Sequence, residues 1–265
     1  ANYVVLSNQP VIDLATGAVS DWIVTDGFSS WNQTAKFSSV GPAIAAAQQE
    51  GLNVMLKPQI AAYDPTLFPY TGSNYGNLAN PSLEIINPAP FFAGYKSYLL
   101  QWAALAQQYH VSILSIGNEM TAATKPQFTP YWNDIISSVR QIYAGQLTCS
   151  ALLPLETTFT AGNEAQQIQC WNKLDFAGFD VYTSLTTYIN PSIEDLNAAW
   201  QSNVLNGHSQ SYVQFISDLA KSIGKPVLFT ETGVASIQGG NDRWHYPDAS
   251  ISLSTTQSDY AAQTN

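Results

Sequence analysis

The chain has 265 residues, of which 45% are hydrophobic and 11% are charged, against about 25% charged residues in an average soluble protein. Its 19 acidic and 9 basic residues give a formal net charge of −10. Because such a surface repels phosphate backbones and anionic membranes, we expect no nucleic-acid partner and no membrane partner. A weakly charged chain that is rich in Ser, Thr, Asn, Gln and Tyr favours a secreted or extracellular protein that handles a neutral polar substrate.

Short apolar runs alternate along the chain with amphipathic stretches and polar loops. This alternation is typical of βα units around parallel strands. No Pro- or Ser-rich linker interrupts it, so we predict a single domain over residues 1–265. The six predicted strands are residues 1–6, 53–56, 111–116, 147–153, 176–182 and 226–230.

Three of the intervening helices have clear boundaries in the sequence. Apolar residues recur at helical spacing over residues 91–109. A second helix is predicted to begin with Thr129 as N-cap and Pro130 at its first position, and to end at Gly145. A third is predicted to end at Gly224.

Six strands of this kind suit either an open doubly wound sheet or most of a (β/α)₈ barrel. An open nucleotide-binding sheet should have a Gly-rich turn after a strand, and the sequence has none. In a barrel, functional residues cluster at the carboxyl ends of the strands. The predicted fold class is therefore α/β, a (β/α)₈ TIM barrel. Polar residues occur at the predicted strand ends, namely Asn8, Gln9, Lys57, Gln59, Asn118, Glu119, Glu156, Asp180, Tyr182 and Glu231.

Two of these residues, Glu119 and Glu231, directly follow apolar strands. Partial burial raises the pKa of a carboxyl group, which suits a general acid that must keep its proton near neutral pH. Two carboxyl groups that face one cavity are the minimum equipment for glycoside hydrolysis. Each glutamate could instead bond a neighbouring backbone group or an arginine, but two such residues in one barrel favour a catalytic pair.

Cysteine and histidine indicate neither a metal site nor a cofactor. Cys149 and Cys170 lie in neighbouring βα units, so they form either one bridge or two unlinked buried thiols. The three histidines lack the spacing of metal ligands. We expect no catalytic metal and no other cofactor.

An Asn-Glu pair that ends one strand, with a second Glu ending the strand three later, resembles clan A glycoside hydrolases. In that clan the pair ends strands four and seven. A narrower resemblance is to glycoside hydrolase family 113, the β-mannanase family. It rests on five segments: ANYVVL (1–6), VMLKP (54–58), LSIGNE (114–119), LDFAGFDVY (174–182) and GKPVLFTETG (224–233).

The resemblance implies a retaining, endo-acting hydrolase of β-linked mannan, with Glu119 as acid/base and Glu231 as nucleophile. It also implies that Asn118 bonds the sugar 2-hydroxyl and that Tyr182 orients the nucleophile, although Tyr182 could simply be a half-buried strand aromatic. Gln59 stands where the family pattern has a histidine, which puts that sugar contact in doubt.

Other residues at the expected mouth of the barrel are candidates for substrate binding. Asn8 and Lys57 follow strands, as Gln59 does. Trp22 and Trp244, like Trp31, lie in loop-like segments and could stack on pyranose rings or pack in the core. Trp102, Trp132 and Trp200 fall on predicted helices, which favours packing against the barrel.

By this resemblance we expect the chain to begin at strand two of the clan and to lack strands one and eight. A six-stranded remnant would leave two bare edges. We therefore expect the domain to be incomplete at both ends and to be completed by residues outside the chain, by a second fragment or by a partner subunit. The alternative is an open sheet that ends naturally.

Two other functions remain open at this stage. One is a different clan A specificity, such as a β-glucanase or galactanase, with the same two glutamates. The other is a catalytically silent carbohydrate-binding barrel, although such a protein would have no reason to keep both glutamates. The predicted partner is in each case a polysaccharide or an oligosaccharide.

Overall fold

The computed structural model describes most of the chain from the first strand to the second glutamate. The residues described are 2–20, 37–63, 75–76, 78–79, 82–153, 164–183, 185–188, 190–202 and 210–233. Trp22, Trp31, Trp244 and the strand-end residue Glu156 lie outside them.

Within these residues, strands and helices alternate as the sequence predicts. The strands are Tyr3–Leu6 (β1), Val11–Asp13 (β2), Val19–Ser20 (β3), Asn53–Leu56 (β4), Ala61–Tyr63 (β5), Tyr75–Gly76 (β6), Ile113–Asn118 (β7), Gln146–Leu152 (β8), Ala177–Asp180 (β9) and Val227–Glu231 (β10). The α-helices are Phe37–Gln49 (α1), Pro88–Gln108 (α2), Thr129–Ile142 (α3), Glu164–Gln167 (α4), Ile193–Ser202 (α5) and Tyr212–Ile223 (α6).

Six strands form the main sheet, in the order β1-β4-β7-β8-β9-β10. All neighbouring pairs are parallel, and at least one helix lies between consecutive members of the sheet. This is the connectivity of a (β/α)₈ barrel, in which each strand is followed by a helix. The six strands coincide with the six predicted ones, with ends that differ by two residues or fewer. Their carboxyl ends lie at the same edge of the sheet.

The helix boundaries agree with the sequence at α6 and disagree at α3. At the start of α6, the Ser211 side chain accepts a hydrogen bond from the Gln214 backbone, and α6 ends at Gly224 with φ 71°. The prediction that Thr129 caps α3 is wrong. Thr129 is already helical, and its hydroxyl donates to the Pro126 carbonyl at 2.7 Å, because a short 3-10 turn leads directly into α3 and leaves no extended cap residue.

A second sheet of four short strands, in the order β3-β2-β5-β6, was not predicted. Its strands have two or three residues each, which is too short for an alternating pattern to be visible. The turn between β2 and β3 packs closely on α2. A Cβ atom added at Gly94 would lie 1.7 Å from the Gly17 carbonyl oxygen, so the two backbones touch.

The core lies between the main sheet and its helices. Trp102 on α2 and Trp132 on α3 are buried, and the Trp132 indole donates to the Ala123 carbonyl at 2.9 Å. The hydroxyl of Tyr95 on α2 donates to the Ile116 carbonyl of β7 at 2.9 Å. Trp200 packs against the core from α5. The packing role predicted for the three helical tryptophans is confirmed.

Cys149 and Cys170 are both buried and free, which is the second of the two alternatives that the sequence left open. Burial raises the pKa of the Cys170 thiol to about 11 and that of Cys149 well above its usual value. Both thiols are therefore protonated and unreactive at neutral pH.

None of the described helices combines the length and the apolar character that crossing a membrane requires.

Candidate active site

The site lies at the carboxyl ends of β4, β7, β9 and β10, where the sequence predicts it. Glu119 follows β7, Asp180 ends β9 and Glu231 ends β10. One carboxylate oxygen from each of these three residues lies within 4.8 Å of the other two. Residues that are far apart in the sequence thus form one carboxylate cluster, which we call the acidic triad (Glu119, Asp180, Glu231).

The pairing register shifts by one residue, as at a β-bulge, in both strands that carry the predicted catalytic glutamates. On β7, Ser115 and Asn118 are three positions apart, but their partners on β8, Thr148 and Ser150, are two positions apart. On β10, two residues from Phe229 to Glu231 span one residue of β9. A bulge changes the direction of the side chains that follow it. The two bulges therefore re-aim both strand ends at the site, which no local sequence pattern revealed.

Glu119 has a left-handed backbone, with φ 46°. For a residue with a long side chain this conformation costs about 1–3 kcal/mol and persists only where surrounding contacts hold it. The Glu119 N–H donates to the Ser150 carbonyl of β8 at 2.9 Å. The backbone of the predicted acid/base is thus fixed against its neighbouring strand.

Lys57 supplies the positive charge of the site. Its ammonium group donates to both carboxylate oxygens of Asp180 at 2.9 Å and also to Oε1 of Glu231. Lys57 is 1% exposed and Asp180 is fully buried, whereas the Glu231 side chain is 27% exposed. Buried charges are tolerated only when they are paired. Lys57 therefore lies beneath Glu231 as its counter-ion, while Glu231 itself remains accessible.

Further hydrogen bonds fix Glu231 and Asp180. The Tyr182 hydroxyl donates to Glu231 Oε2 at 2.8 Å, and the Gln59 amide lies 3.4 Å from Oε1. The Thr230 hydroxyl donates to Asp180 Oδ1 at 2.5 Å. Burial raises the pKa of Tyr182, and its bond to Glu231 raises it further, so its hydroxyl stays protonated and donating. The contact expected between Tyr182 and Glu231 is present.

Two carboxyl groups of the triad, those of Glu119 and Asp180, have raised pKa values. Burial raises the pKa of Glu119 to about 7, and the negative charges of Asp180 and Glu231 add to the rise while Lys57 opposes it. Burial also raises the pKa of Asp180 to about 6, against the opposing charge of Lys57. Glu119 can therefore carry a proton near neutral pH. Three carboxylates could also bind a hard cation, but here the Lys57 ammonium is already paired with two of them.

Asn118 and Asn8 occupy different positions relative to the triad. Asn118 Oδ1 is buried at the end of β7 and has no hydrogen-bond partner among the described residues, so it could accept a bond from a substrate hydroxyl. Asn8 is buried, and its Oδ1 accepts a bond from the Tyr98 hydroxyl at 2.9 Å. The Asn8 carbonyl accepts from the Gln59 N–H at 3.1 Å. Among the described residues, Asn8 is therefore linked to the triad through Gln59.

Asp180 was noticed as a strand-end residue, but it was not among the predicted site residues. The signal was present, since a lysine at the end of an apolar strand needs a buried counter-ion. Lys57, which the sequence predicts as a substrate contact, pairs in the structure with two carboxylates. Of the predicted sugar platforms, Trp22 and Trp244 lie outside the described residues.

A parallel α/β sheet that brings two glutamates together at the carboxyl ends of its strands defines a glycoside hydrolase with a barrel fold. The sequence profile of Glycoside Hydrolase Family 113 matches residues 14–263, and the chain belongs to that family. No curated protein sequence matches it significantly.

Three solved structures with a similar fold are family 113 mannanases. The β-mannanase AaManA from Alicyclobacillus acidocaldarius is 18% identical, with a TM-score of 0.62 over 93% of this chain and 66% of that chain. A β-1,4-mannanase is 19% identical, with a TM-score of 0.64 over 94% of this chain and 68% of that chain. A β-1,4-mannanase complex is 18% identical, with a TM-score of 0.62 over 99% of this chain and 70% of that chain. The chain spans about two thirds of their length, and the likeness confirms the predicted barrel fold class.

Proposed function

We propose that the chain carries the catalytic site of a retaining, endo-acting glycoside hydrolase that cleaves β-linked mannan. The observation that carries this proposal is the separation of the Glu119 and Glu231 carboxylates, whose nearest oxygens lie within 4.8 Å. Retaining enzymes hold their two carboxyl groups about 5–5.5 Å apart, whereas inverting enzymes leave about 6.5–9.5 Å for a water molecule.

The two glutamates have environments that suit different roles. Glu231 accepts hydrogen bonds from Lys57 and Tyr182 and is partly exposed, which places it as a nucleophile within reach of a sugar. Burial raises the pKa of Glu119 to about 7, and the negative charges of Asp180 and Glu231 add to the rise. Glu119 therefore suits the role of general acid, which must keep its proton near neutral pH.

The reaction then proceeds in two displacements. In the first, a Glu231 carboxylate oxygen bonds to the anomeric carbon, the glycosidic C–O bond breaks, and the Glu119 proton moves to the leaving-group oxygen. In the second, Glu119 takes a proton from water, the water oxygen bonds to the anomeric carbon, and Glu231 is released as a carboxylate. Asn118 bonds the 2-hydroxyl of the sugar through its unpaired Oδ1.

The substrate class rests on the family and on the names of the similar structures, which are β-mannanases. A β-glucanase or galactanase with the same two glutamates is the alternative enzyme, and a silent sugar-binding barrel is the alternative of another kind.

Incubation with mannan, galactan, xylan, cellulose and laminarin, followed by assay of reducing ends, separates these three functions. We expect activity on mannan, and Glu231→Gln should abolish it. Activity on another glycan alone would contradict the substrate, and no activity on any would favour the silent barrel.

Stereochemistry tests the mechanism separately from the substrate. ¹H NMR of the first products should show the β-anomer at the new reducing end, because two displacements retain configuration. Early appearance of the α-anomer would mean an inverting mechanism and would rule out Glu231 as a covalent nucleophile.

A further inference from the structure

A fourth carboxylate, Glu164, is buried close to the acidic triad but is not part of it. Glu164 is the first residue of α4 and is fully buried. Its Oε1 accepts a hydrogen bond from the Met120 N–H at 2.9 Å, and its Oε2 accepts one from the Leu152 N–H at 2.8 Å. One carboxyl group therefore joins the residue after Glu119 to the last residue of β8.

The same group is braced by two more polar side chains. The Thr124 hydroxyl lies 3.0 Å from Glu164 Oε1 and 3.1 Å from the Met120 carbonyl oxygen. The Gln167 amide donates to Thr124 Oγ1 at 3.0 Å. Both the N–H and the carbonyl of Met120 are therefore held by the network around Glu164. A buried carboxyl group is costly to keep unless it is hydrogen-bonded, and these contacts account for its retention.

The backbone that this network holds is the one that needs support. Glu119, directly before Met120, has the left-handed conformation with φ 46°. Its own N–H is bonded to Ser150 of β8, and the next N–H is the one that Glu164 binds. If the second bond is lost, the backbone can relax towards φ below zero, and such a rotation turns the Glu119 side chain away from the triad.

We infer that Glu164 is a positioning residue for Glu119, tying the peptide after the acid/base to β8 so that the Glu119 carboxyl stays within reach of the leaving-group oxygen. This inference rests on the proposed function, since it needs Glu119 to be the proton donor. Glu164 touches neither the substrate nor the reacting atoms and acts only through Glu119.

The test uses two substrates that differ in how much they need a proton. Phenyl β-mannotrioside has a poor leaving group that requires protonation by Glu119, whereas 2,4-dinitrophenyl β-mannotrioside has a leaving group that departs without it. For Glu164→Gln we expect kcat/KM on the phenyl substrate to fall about tenfold to a hundredfold, the loss typical of a catalytic group displaced by about 1 Å. The phenyl substrate suffers because a glutamine accepts a hydrogen bond from only one of the two N–H groups, so the backbone at Glu119 loosens. The loss on the dinitrophenyl substrate should be several times smaller, because that reaction needs no proton from Glu119 and Glu231 is untouched.

A merely structural role of Glu164 would lower both rates by the same factor, since fewer molecules would be folded. Asp175→Asn is the matched control, because the Asp175 carboxylate also accepts a β8 N–H, that of Leu147 at 2.7 Å, at the opposite end of the strand. We expect Asp175→Asn to change the two rates equally or not at all. Urea unfolding of each variant gives the folded fraction.

The outcomes separate this inference from the proposed function. Glu119→Gln must itself show the dependence on the leaving group, and if it does not, the proposed role of Glu119 fails. If Glu119→Gln shows it and Glu164→Gln lowers both rates equally, the inference about Glu164 is overturned while the function stands. If Glu164→Gln does not fold, Thr124→Val decides, because it removes the hydroxyl that lies within hydrogen-bond distance of both Glu164 Oε1 and the Met120 carbonyl oxygen. A smaller loss with the same dependence on the leaving group supports the inference, and an equal or absent loss overturns it.

Discussion

Glu119 shows how one side chain can acquire a catalytic proton affinity from its surroundings. Burial and the charges of Asp180 and Glu231 raise its pKa to about 7, even though Lys57 lies in the same site. The sequence predicts Glu119 at a strand end. The rise of its pKa, however, depends on its burial and on the carboxylates of Asp180 on β9 and Glu231 on β10.

The first residue-scale prediction concerns the pH dependence of kcat/KM. A general acid must be protonated in the free enzyme, so activity should fall as the pH rises through the pKa of Glu119, near 7. Glu119→Gln cannot lose a proton, and its remaining activity on the same substrate should lack this limb. Steady-state rates between pH 5 and 9 measure it. If the limb persists in Glu119→Gln, another group of the triad is responsible for it.

The second prediction at this scale concerns Lys57. Lys57→Met leaves Asp180 buried without its counter-ion, which should destabilise the protein by about 3–5 kcal/mol and strongly reduce turnover by freeing Glu231. Adding Asp180→Asn should restore part of the stability, because the two groups are coupled. Urea unfolding of both single variants and the double variant measures this coupling.

Lys96→Met is the control for that experiment. Lys96 pairs with Asp134 at 2.8 Å on the surface, where the two side chains are 29% and 63% exposed. Such a pair is worth at most about 1 kcal/mol, so we expect little change. Additive effects of Lys57→Met and Asp180→Asn would contradict the pairing as the source of stability.

At the scale of elements, the six strands of the main sheet were predictable because each is a short, mainly apolar run next to a turn or a helix. The second sheet was not predictable, because β2, β3, β5 and β6 are held by pairing partners rather than by a local pattern. The start of α3 was predicted wrongly for a related reason. The 3-10 turn at Pro126–Phe128 packs Phe128 in the core, and this contact extends the helix past its expected cap.

The contact between the β2–β3 turn and α2 gives the prediction at this scale. Gly94→Ala should raise helix propensity by about 1 kcal/mol, but its Cβ would lie 1.7 Å from the Gly17 carbonyl oxygen. Because both partners are backbone, the clash should outweigh the gain, and we expect a net loss of about 1–3 kcal/mol. Ser97→Ala, exposed on the same helix, is the control and should be neutral or slightly stabilising. Equal unfolding midpoints for the two variants would contradict the close contact.

At the scale of the whole molecule, three carboxyl groups have raised pKa values for related reasons. Burial raises the pKa of Glu164 to about 8, opposed by its hydrogen bonds to Leu152, Thr124 and Met120 and reinforced by the charge of Glu119. Glu119 and Asp180 are raised to about 7 and about 6. In each case the folded protein holds a proton more tightly than the unfolded chain does.

Stability should therefore fall as the pH rises. Below the unfolded pKa values, about 3.9–4.3, these groups are protonated in both states and their stabilising contribution is fully present. That contribution is lost as the pH rises through 6, 7 and 8, and each tenfold difference in proton affinity is worth about 1.4 kcal/mol. We expect greater resistance to urea at pH 5 than at pH 8.

Two controls identify the source of this slope, the fall in the free energy of unfolding as the pH rises. The net charge of −10 produces a similar trend through repulsion at the surface, but salt screens exposed charges far more than buried ones. The slope should thus persist at 1 M salt, where the Debye length is about 3 Å. Glu164→Gln should make it shallower. A slope that disappears in salt would assign the effect to the surface.

The sequence by itself determined the six strands of the main sheet, the two glutamates that follow strands and the family resemblance, because each depends on a local pattern of apolar residues and the polar residue after them. Only the tertiary structure decided how the site works. Lys57 meets Asp180 across 123 residues, Glu164 reaches Met120 across 44, and a bulge in each strand re-aims the glutamates. These contacts arise where strands converge in space, and charge pairing and backbone strain at that point depend on distances that no local sequence pattern encodes.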